Sequence, residues 1–552
     1  MKMKTVNHLS VSLMLTVLLI SGMTIAAPEG TNQIKGVSPL AQSNLIFFQD
    51  KGELERLYKR SGNQLIWSQA GKLTPQSFEA IESLQQAQLM GLKTEKYATA
   101  QLLYSWNEIK KPKSESNSSL VKFDMALSAS LMQFISDLYL GQVDPLETGF
   151  NVVVSQKHID LAETVYVFSR SNNMWEAIQR LEPHFKAYQR LKEALSKYRQ
   201  LAKNGKSKPL LAEMTIHPGD KYRDLVALRT LLIAVGDLDP DIPETDTYED
   251  DIVDALKHFQ RRHGLKADGL IGPKTFQQLN TPLTKRVEQI ELAMERLRWL
   301  PEPEDGPHIV VNIPAFELYA FKVKNGIETL RLKMGVIVGS ALNEHETPIF
   351  VAEMKYLVFR PYWNVPYSIA VKELLPKLKK DPYYLYNHNY EILQGHEIIS
   401  SGYFDPGMAA EVRSGKLRIR QKAGNDNALG LIKFIFPNSN SVYLHDTPAR
   451  GLFSQSRRDF SHGCIRVQDP VRLAEFVLGQ QDQGWDRLAI ISAMQGRDDH
   501  KVVLEKQIPV HIFYTTVIVR ENGDIAFFDD IYGHDKHLEV LLRSASQNKF
   551  RS

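Results

Sequence analysis

The apolar periodicity of the chain changes once, near residue 307, and that change limits what it can fold into. Upstream of Pro301-Glu302-Pro303, apolar residues recur at helical spacing, as in Val287, Ile290, Leu292, Met294 and Leu297. Downstream the period is two, so Ile309 to Ile313, Glu317 to Val323, Leu330 to Val338 and Lys355 to Phe359 read as strands. At 552 residues, such a chain is expected to be multidomain α+β, because a single core stops growing well before that length. Composition matters mainly for what it excludes. A net charge of +3, from 67 basic and 64 acidic residues, lacks the basic excess of a nucleic-acid footprint, so no nucleic-acid partner is expected.

The first residues read as a secretory signal over 1–26. Lys2 and Lys4 precede an apolar run from Leu9 to Ile20, too short to span a bilayer comfortably, and Thr24-Ile25-Ala26 offers small residues for cleavage before Ala27. No Arg-Arg pair precedes the run and no cysteine follows it, which points to the general secretory route and excludes a lipoprotein anchor. An uncleaved anchor is the alternative.

Residues 40–215 read as a helical scaffold domain. Thr74-Pro75 looks like a helix start, with Phe78, Ile81, Leu84 and Leu89 on one face and Gly91 as the stop. Further helices are expected over Asp124 to Leu140, Trp175 to Leu181 and His184 to Leu201, and the helix within 284–300 is expected to complete this domain. No catalytic constellation occurs here. Residues 220–283 form a smaller unit, with helices ending at Gly236, Arg262 and Leu279 and glycines 264, 269 and 272 placed for positive φ in tight turns. Its phrase Phe259-Gln260-Arg261-Arg262-His263-Gly264-Leu265 through Asp268-Gly269-Leu270-Ile271-Gly272-Pro273-Lys274-Thr275 resembles the peptidoglycan-binding module of cell-wall enzymes.

The β-rich domain is expected over 307–496, interrupted at about 368–420 by an insertion rich in tyrosine, including Tyr383, Tyr384, Tyr386 and Tyr390. An insertion of this size in a compact domain reads as a lid, or as a surface subdomain without a role. Residues 497–552 read as a C-terminal hairpin and tail, with Val510 to Val519 and Ile525 to Phe528 turning at Glu521-Asn522-Gly523-Asp524.

Cys464 is the only cysteine in the chain, and it follows Ser461-His462-Gly463. A solitary thiol among histidines is a candidate nucleophile. An inert buried cysteine, an intermolecular disulfide, or a zinc ligand with His445 and His462 are the alternatives. A free thiol is only ~3% thiolate at neutral pH, and an imidazole partner that lowers its pKa to ~6 raises that fraction to ~90%. His445 ends a strand nineteen positions before the cysteine (464 − 445), within reach if two strand ends are adjacent. Asp446 is placed to orient the imidazole, and the N–H groups of Gly463 and Cys464 to bind an oxyanion.

His445, fifteen intervening residues and then Ser461-His462-Gly463-Cys464-Ile465-Arg466 resemble the active-site signature of L,D-transpeptidases. Tyr362-Trp363-Asn364-Val365-Pro366, Asn427-Ala428-Leu429-Gly430 and Val442 through Leu452 extend the likeness to the large Gram-negative branch of that family. The resemblance implies a helical scaffold, a small three-helix peptidoglycan-binding-like module and a β-rich catalytic domain with a capping insertion. It implies a periplasmic enzyme in which Cys464 is the nucleophile and His445 its base. Gly463 frames the oxyanion hole, and His462 and Arg466 support the loop or the substrate. In that family the third contact of the base often comes from a backbone carbonyl, so the resemblance argues against a side-chain role for Asp446. Tyr362, Trp363 and Asn364 are groove candidates. The implied reaction cleaves the terminal D-alanine from peptidoglycan tetrapeptide stems through a thioester and forms 3→3 diaminopimelate cross-links, with no metal or organic cofactor. Implied partners are stem peptides, other cell-wall synthesis enzymes and carbapenem inhibitors. Hydrolysis of the thioester, transfer of a lipoprotein to the wall, and a non-catalytic wall-binding protein are the competing readings.

Overall fold

The computed structural model describes residues 51–547 apart from 112–116, 152–156, 205–208, 212–213, 303, 343–344 and 482–483, so the expected signal at 1–26 lies outside the described residues. Among these, no helix is long and apolar enough to cross a membrane.

Helices Lys51–Arg60, Pro75–Gln85, Thr99–Ile109, Asn117–Tyr139, Leu161–Phe168 and Met174–Gln179 surround one core. The long 117–139 helix is its axis, with Leu127, Leu131, Phe134, Ile135 and Leu138 fully buried. Asp124 is buried beside them. Its carboxylate accepts from the Tyr58 hydroxyl and the Trp67 backbone N–H, both at 2.7 Å, which meets the cost of burying it. Thr74 is extended before Pro75, as a helix start requires, but its hydroxyl donates to the Trp67 carbonyl instead of capping. A 3₁₀ turn over Gln86–Met90 tightens the end of this helix and leaves Leu89 exposed, off the apolar face expected for it. Gly91 then stops the chain at φ 71°.

The helix Leu283–Arg298 lies against Lys186–Asn204, and the apolar faces of both join the core of the β domain. Its link to the helical domain is polar: Arg298 donates to the Met90 carbonyl, and Glu295 accepts from the N–H groups of Gln142 and Val143. Arg298 and Glu295 pair at 2.9 Å with both side chains fully buried.

The β domain is built on β1 (Gly306–Asn312), β2 (Glu317–Lys324), β3 (Ile327–Gly339), β4 (Ile349–Phe359), β5 (Ile432–Ile435), β6 (Leu444–His445), β7 (Asp459–Ser461), β8 (Ile465–Val467) and β9 (His500–Phe513). The strand order is β5-β6-β8-β3-β2-β1-β9-β4, and β4 pairs back onto β5, closing the sheet into a barrel. Leu318, Ala320, Val336, Phe434, Leu444, Ile465 and Val510 fill the interior. β9 runs between β1 and β4, parallel to the first and antiparallel to the second. The boundary expected at 496 therefore falls just before a central strand. Only Val517–Val519 and Ile525–Phe527 form the terminal hairpin, and Val510 to Phe513 belong to the barrel.

The insertion starts earlier than expected, at Trp363. It has its own four-stranded sheet, in the order Glu397–Ser400, Tyr390–Gln394, Arg418–Gln421, Trp363–Asn364. Helical turns from Tyr367 to Lys380, including a π-helical stretch over Ala370–Leu374, pack on it. Leu375, Leu378, Leu385, Ile392, Phe404 and Ile419 make a separate core, so the cap is a subdomain in its own right.

In the small module, helices Leu225–Val235, Asp250–Arg262 and Pro273–Leu279 pack around Leu228, Leu256 and Ile271. Gly236, Gly264 and Gly269 take positive φ, whereas Gly272 is at φ −90° and needs no glycine on that account.

Candidate active site

β6 and β8 are parallel neighbours with Leu444 opposite Ile465 and His445 opposite Arg466. Leu444 and Ile465 point into the barrel and are fully buried. Strand alternation then puts Tyr443 and His445 of one strand and Cys464 and Arg466 of the other on the opposite face. This is how a nineteen-residue separation becomes a shared surface.

His445 is 4% exposed, and its Nδ1 lies 2.6 Å from the Asp446 carbonyl oxygen. A carbonyl only accepts, so Nδ1 carries the proton and Nε2 keeps its lone pair. Burial, aided by the Arg466 and Lys433 charges, pushes the imidazole pKa down to about 3. The ring is a neutral base at rest.

The Asp446 carboxylate acts elsewhere. It accepts from the N–H of Leu431 at 2.9 Å and of Thr447 at 2.6 Å, and it pairs with Arg450. Gly430, at φ 60°, packs so closely that a Cβ there would overlap the Asp446 carboxyl. The side chain of Asp446 thus fixes the loop whose carbonyl holds His445, and the orienting role read for it from triad logic passes to the backbone.

Cys464 is partly exposed, and its thiol faces Tyr443 and the Ser441 carbonyl, the latter at 3.9 Å. Burial pushes the thiol pKa up, opposed by hydrogen bonds from Tyr443 and by the Arg466 charge. With the thiol raised and the imidazole lowered, the resting pair is neutral. Burial works against both ions, in the opposite sense to the thiolate that an imidazole partner favours. No hydrogen bond joins His445 to Cys464 in this structure; catalytic contacts of this kind commonly tighten only around substrate.

Gly463 adopts φ 109°, which explains glycine before Cys464. Its carbonyl accepts from the Thr347 hydroxyl at 2.8 Å, and its N–H donates to Ser461 Oγ at 3.2 Å. Ser461 Oγ in turn donates to the Cys464 carbonyl. The Gly463 N–H is therefore engaged by Ser461 rather than aimed at an empty hole. His462 is engaged elsewhere: its Nε2 lies 2.6 Å from Glu373 Oε1 on the cap, and its ring centroid rests 4.5 Å from that of His345. Arg466 has a buried Nε without a hydrogen-bond partner. Tyr362 stacks under Arg420 at 4.3 Å, and Trp363 and Asn364 pair with β-residues Gln421 and Arg420 of the cap. These three form the root of the cap.

Sequence reading missed Tyr443, Thr347 and Glu373. Tyr443 had a usable signal, since it lies two positions from His445 on one strand; Thr347 and Glu373 come from distant segments. Among the described residues, no group of three His, Cys, Asp or Glu side chains could hold a metal ion.

Comparison with known proteins assigns each region. Residues 306–512 match the family described as "L,D-transpeptidase catalytic domain", 52–195 the "Scaffold domain", and 222–279 the "Putative peptidoglycan binding domain". A Haemophilus influenzae protein named "Putative L,D-transpeptidase" is 35% identical over 258 residues, covering 46% of this chain and 49% of its own length. The chain thus spans about half the length of the curated relative it matches. A structure of Bdellovibrio bacteriovorus Bd1075 aligns with a TM-score of 0.17 at 13% identity, over 44% of this chain and 56% of the other, and informs nothing further.

Proposed function

From the premise that this chain is a member of the L,D-transpeptidase family, with residues 306–512 as its catalytic domain, we propose that it forms 3→3 cross-links in peptidoglycan through a thioester on Cys464. The observation that carries this reading is the His445 ring: its Nδ1–H is held by the Asp446 carbonyl, leaving Nε2 as a base on the face that also bears Cys464.

His445 Nε2 takes the thiol proton as the sulfur attacks the L-centre carbonyl of the third stem residue. The resulting imidazolium is disfavoured by burial and by Arg466. It therefore gives its proton readily to the departing D-alanine amine, so the C–N bond breaks and a thioester remains. The side-chain amine of a second stem attacks that carbonyl and loses its proton to Nε2. The new amide forms, the C–S bond breaks, and the proton returns to the thiol. Arg466, on the same face as Cys464, supplies the positive charge that meets a substrate carboxylate. The protein acts in the periplasm, and the same thiol is the acylation target of carbapenems.

The test is a muropeptide digest of sacculi treated with the enzyme. Dimers linked 3→3 are expected with the unaltered protein and absent with Cys464→Ala. Tripeptide monomers without dimers make water the acceptor instead, and undiminished dimers with the variant overturn the reading.

A further inference from the structure

The cap carries a feature that the reaction at Cys464 does not use. In the short helix Tyr384–Asn387, Leu385 is fully buried, while Tyr386 is 72% exposed and the preceding Tyr383 60% exposed. Three positions apart at a helical turn, these two rings project from one side. A third, Tyr403, arrives from a separate loop and meets Tyr383 edge-on with centroids 5.5 Å apart. That loop is pinned by Phe404 N–H donating to the Pro382 carbonyl at 2.8 Å and by Ser400 donating to the Tyr403 carbonyl. Two segments thus converge to hold large rings in water, where they contribute nothing to the cap core. An exposed aromatic cluster of this kind marks a contact surface. Lys379 and Lys380 lie exposed just before it and join no ion pair among the described residues.

We propose that Tyr383, Tyr386 and Tyr403 form a platform that binds the glycan strand of peptidoglycan and holds it against the cap. The inference rests on the reading of peptidoglycan as substrate and adds where the polymer lies. Flat rings with a hydroxyl at the edge suit the C–H faces and hydroxyls of pyranose rings, and tyrosine makes such contacts at low entropic cost. The flanking lysines complement the carboxylates of the attached stems. The cap also touches the loop that carries Cys464 through the contact of Glu373 with His462.

The experiment measures binding of the full chain to stem-free glycan strands, made by stripping sacculi with an amidase, for the unaltered protein and Tyr383→Ala/Tyr386→Ala. Thermal unfolding confirms that the exposed substitutions leave the fold intact. The platform predicts an affinity loss of about tenfold from two lost ring contacts. It also predicts that the ratio of turnover on intact sacculi to turnover on soluble muropeptides falls with it. Equal affinity of the two proteins overturns the platform. Binding lost to stem-bearing sacculi but kept to bare glycan assigns the tyrosines to the stem peptides and also overturns it. Loss of association with another protein, with glycan binding unchanged, does the same. If the unaltered protein fails on muropeptides while the double variant loses glycan, the catalytic reading falls and the platform stands.

Discussion

The proposed catalytic stretch 443–466 and the module stretch 258–278 both carry motifs, yet the fold uses them in opposite ways. β6 and β8 turn their apolar residues into the barrel and leave Tyr443, His445, Cys464 and Arg466 on the far face. The module turns its polar motif inward, onto the C-terminal hairpin. Arg262 pairs with the buried carboxylate of Asp237 at 2.8 Å and donates to the Ile525 carbonyl at 2.8 Å. His263 is 4% exposed and stacked between Phe259 and Phe527. Gln278 donates to Asp529 at 2.7 Å, and Arg286 lies over the Phe527 ring. Residue types that look like recognition chemistry act here as the joint between two domains. A buried charge pair gains little in net stability but is costly to break, so this motif fixes the module in place.

Substitutions at the two motifs are expected to separate cleanly. The largest effect is at the barrel: Cys464→Ala removes the nucleophile and abolishes cross-linked product, read from muropeptide digests, with the melting temperature unchanged. Gly430→Ala is next, because its Cβ collides with the Asp446 carboxyl and shifts the loop that holds His445. A displacement near 1 Å costs about 10²-fold in turnover, measured as kcat on tetrapeptide muropeptides. Arg262→Ala has the converse profile. It strands the Asp237 carboxylate and costs roughly 3–5 kcal/mol of stability, read by denaturant unfolding, while kcat of the folded protein stays near the original value. A large kcat loss without destabilisation would erase the contrast between the motifs.

Two pH profiles sharpen the comparison further. The thiol pKa is raised and the imidazole pKa lowered, so alkylation of Cys464 by iodoacetamide is expected to rise through and beyond pH 9. A plateau already reached near pH 6 would instead reveal a preformed ion pair. Stability reports the other set. His445 is depressed to about 3, His511 and His534 to about 4, and His263 well below its usual value, each chiefly by burial. Unfolded histidine binds its proton near pH 6.5, so these groups favour the folded state above that pH. Their contribution is lost as pH falls from 6.5 toward 4. Asp124, raised to about 6 by burial, works with the opposite sign and offsets part of the loss. The urea midpoint is therefore expected to fall between pH 6.5 and 4, at both motifs together, since His263 belongs to the module and His445 to the barrel.

The change of period near residue 307 was legible because buried residues recur at every second position over the first half of β2 and the middle of β3. β9 was not. A register shift between Val503 and Ile508 breaks its alternation, and Pro509 argues against a central strand. The cap was legible as an interruption but not in extent, because Trp363 and Asn364 look continuous with β4 until their partner Arg418–Gln421 is known. At the site, motif spacing brought out Cys464 and His445. Residue types alone suggested the Asp446 side chain as the orienting group, since a backbone atom leaves no mark on residue choice; only the family resemblance pointed to the carbonyl that the structure places there. The engagement of His462 by Glu373, 89 residues away, is equally beyond reach of local pattern.

The central claim is that Cys464 accepts the acyl group with His445 as its base. Intact mass of the protein, quenched in acid after brief mixing with a tetrapeptide muropeptide, tests it directly. The expected result is an adduct equal to the muropeptide minus D-alanine, mapped to the peptide containing Cys464 and absent after His445→Ala. Released D-alanine with no adduct, or an adduct undiminished in His445→Ala, would contradict it.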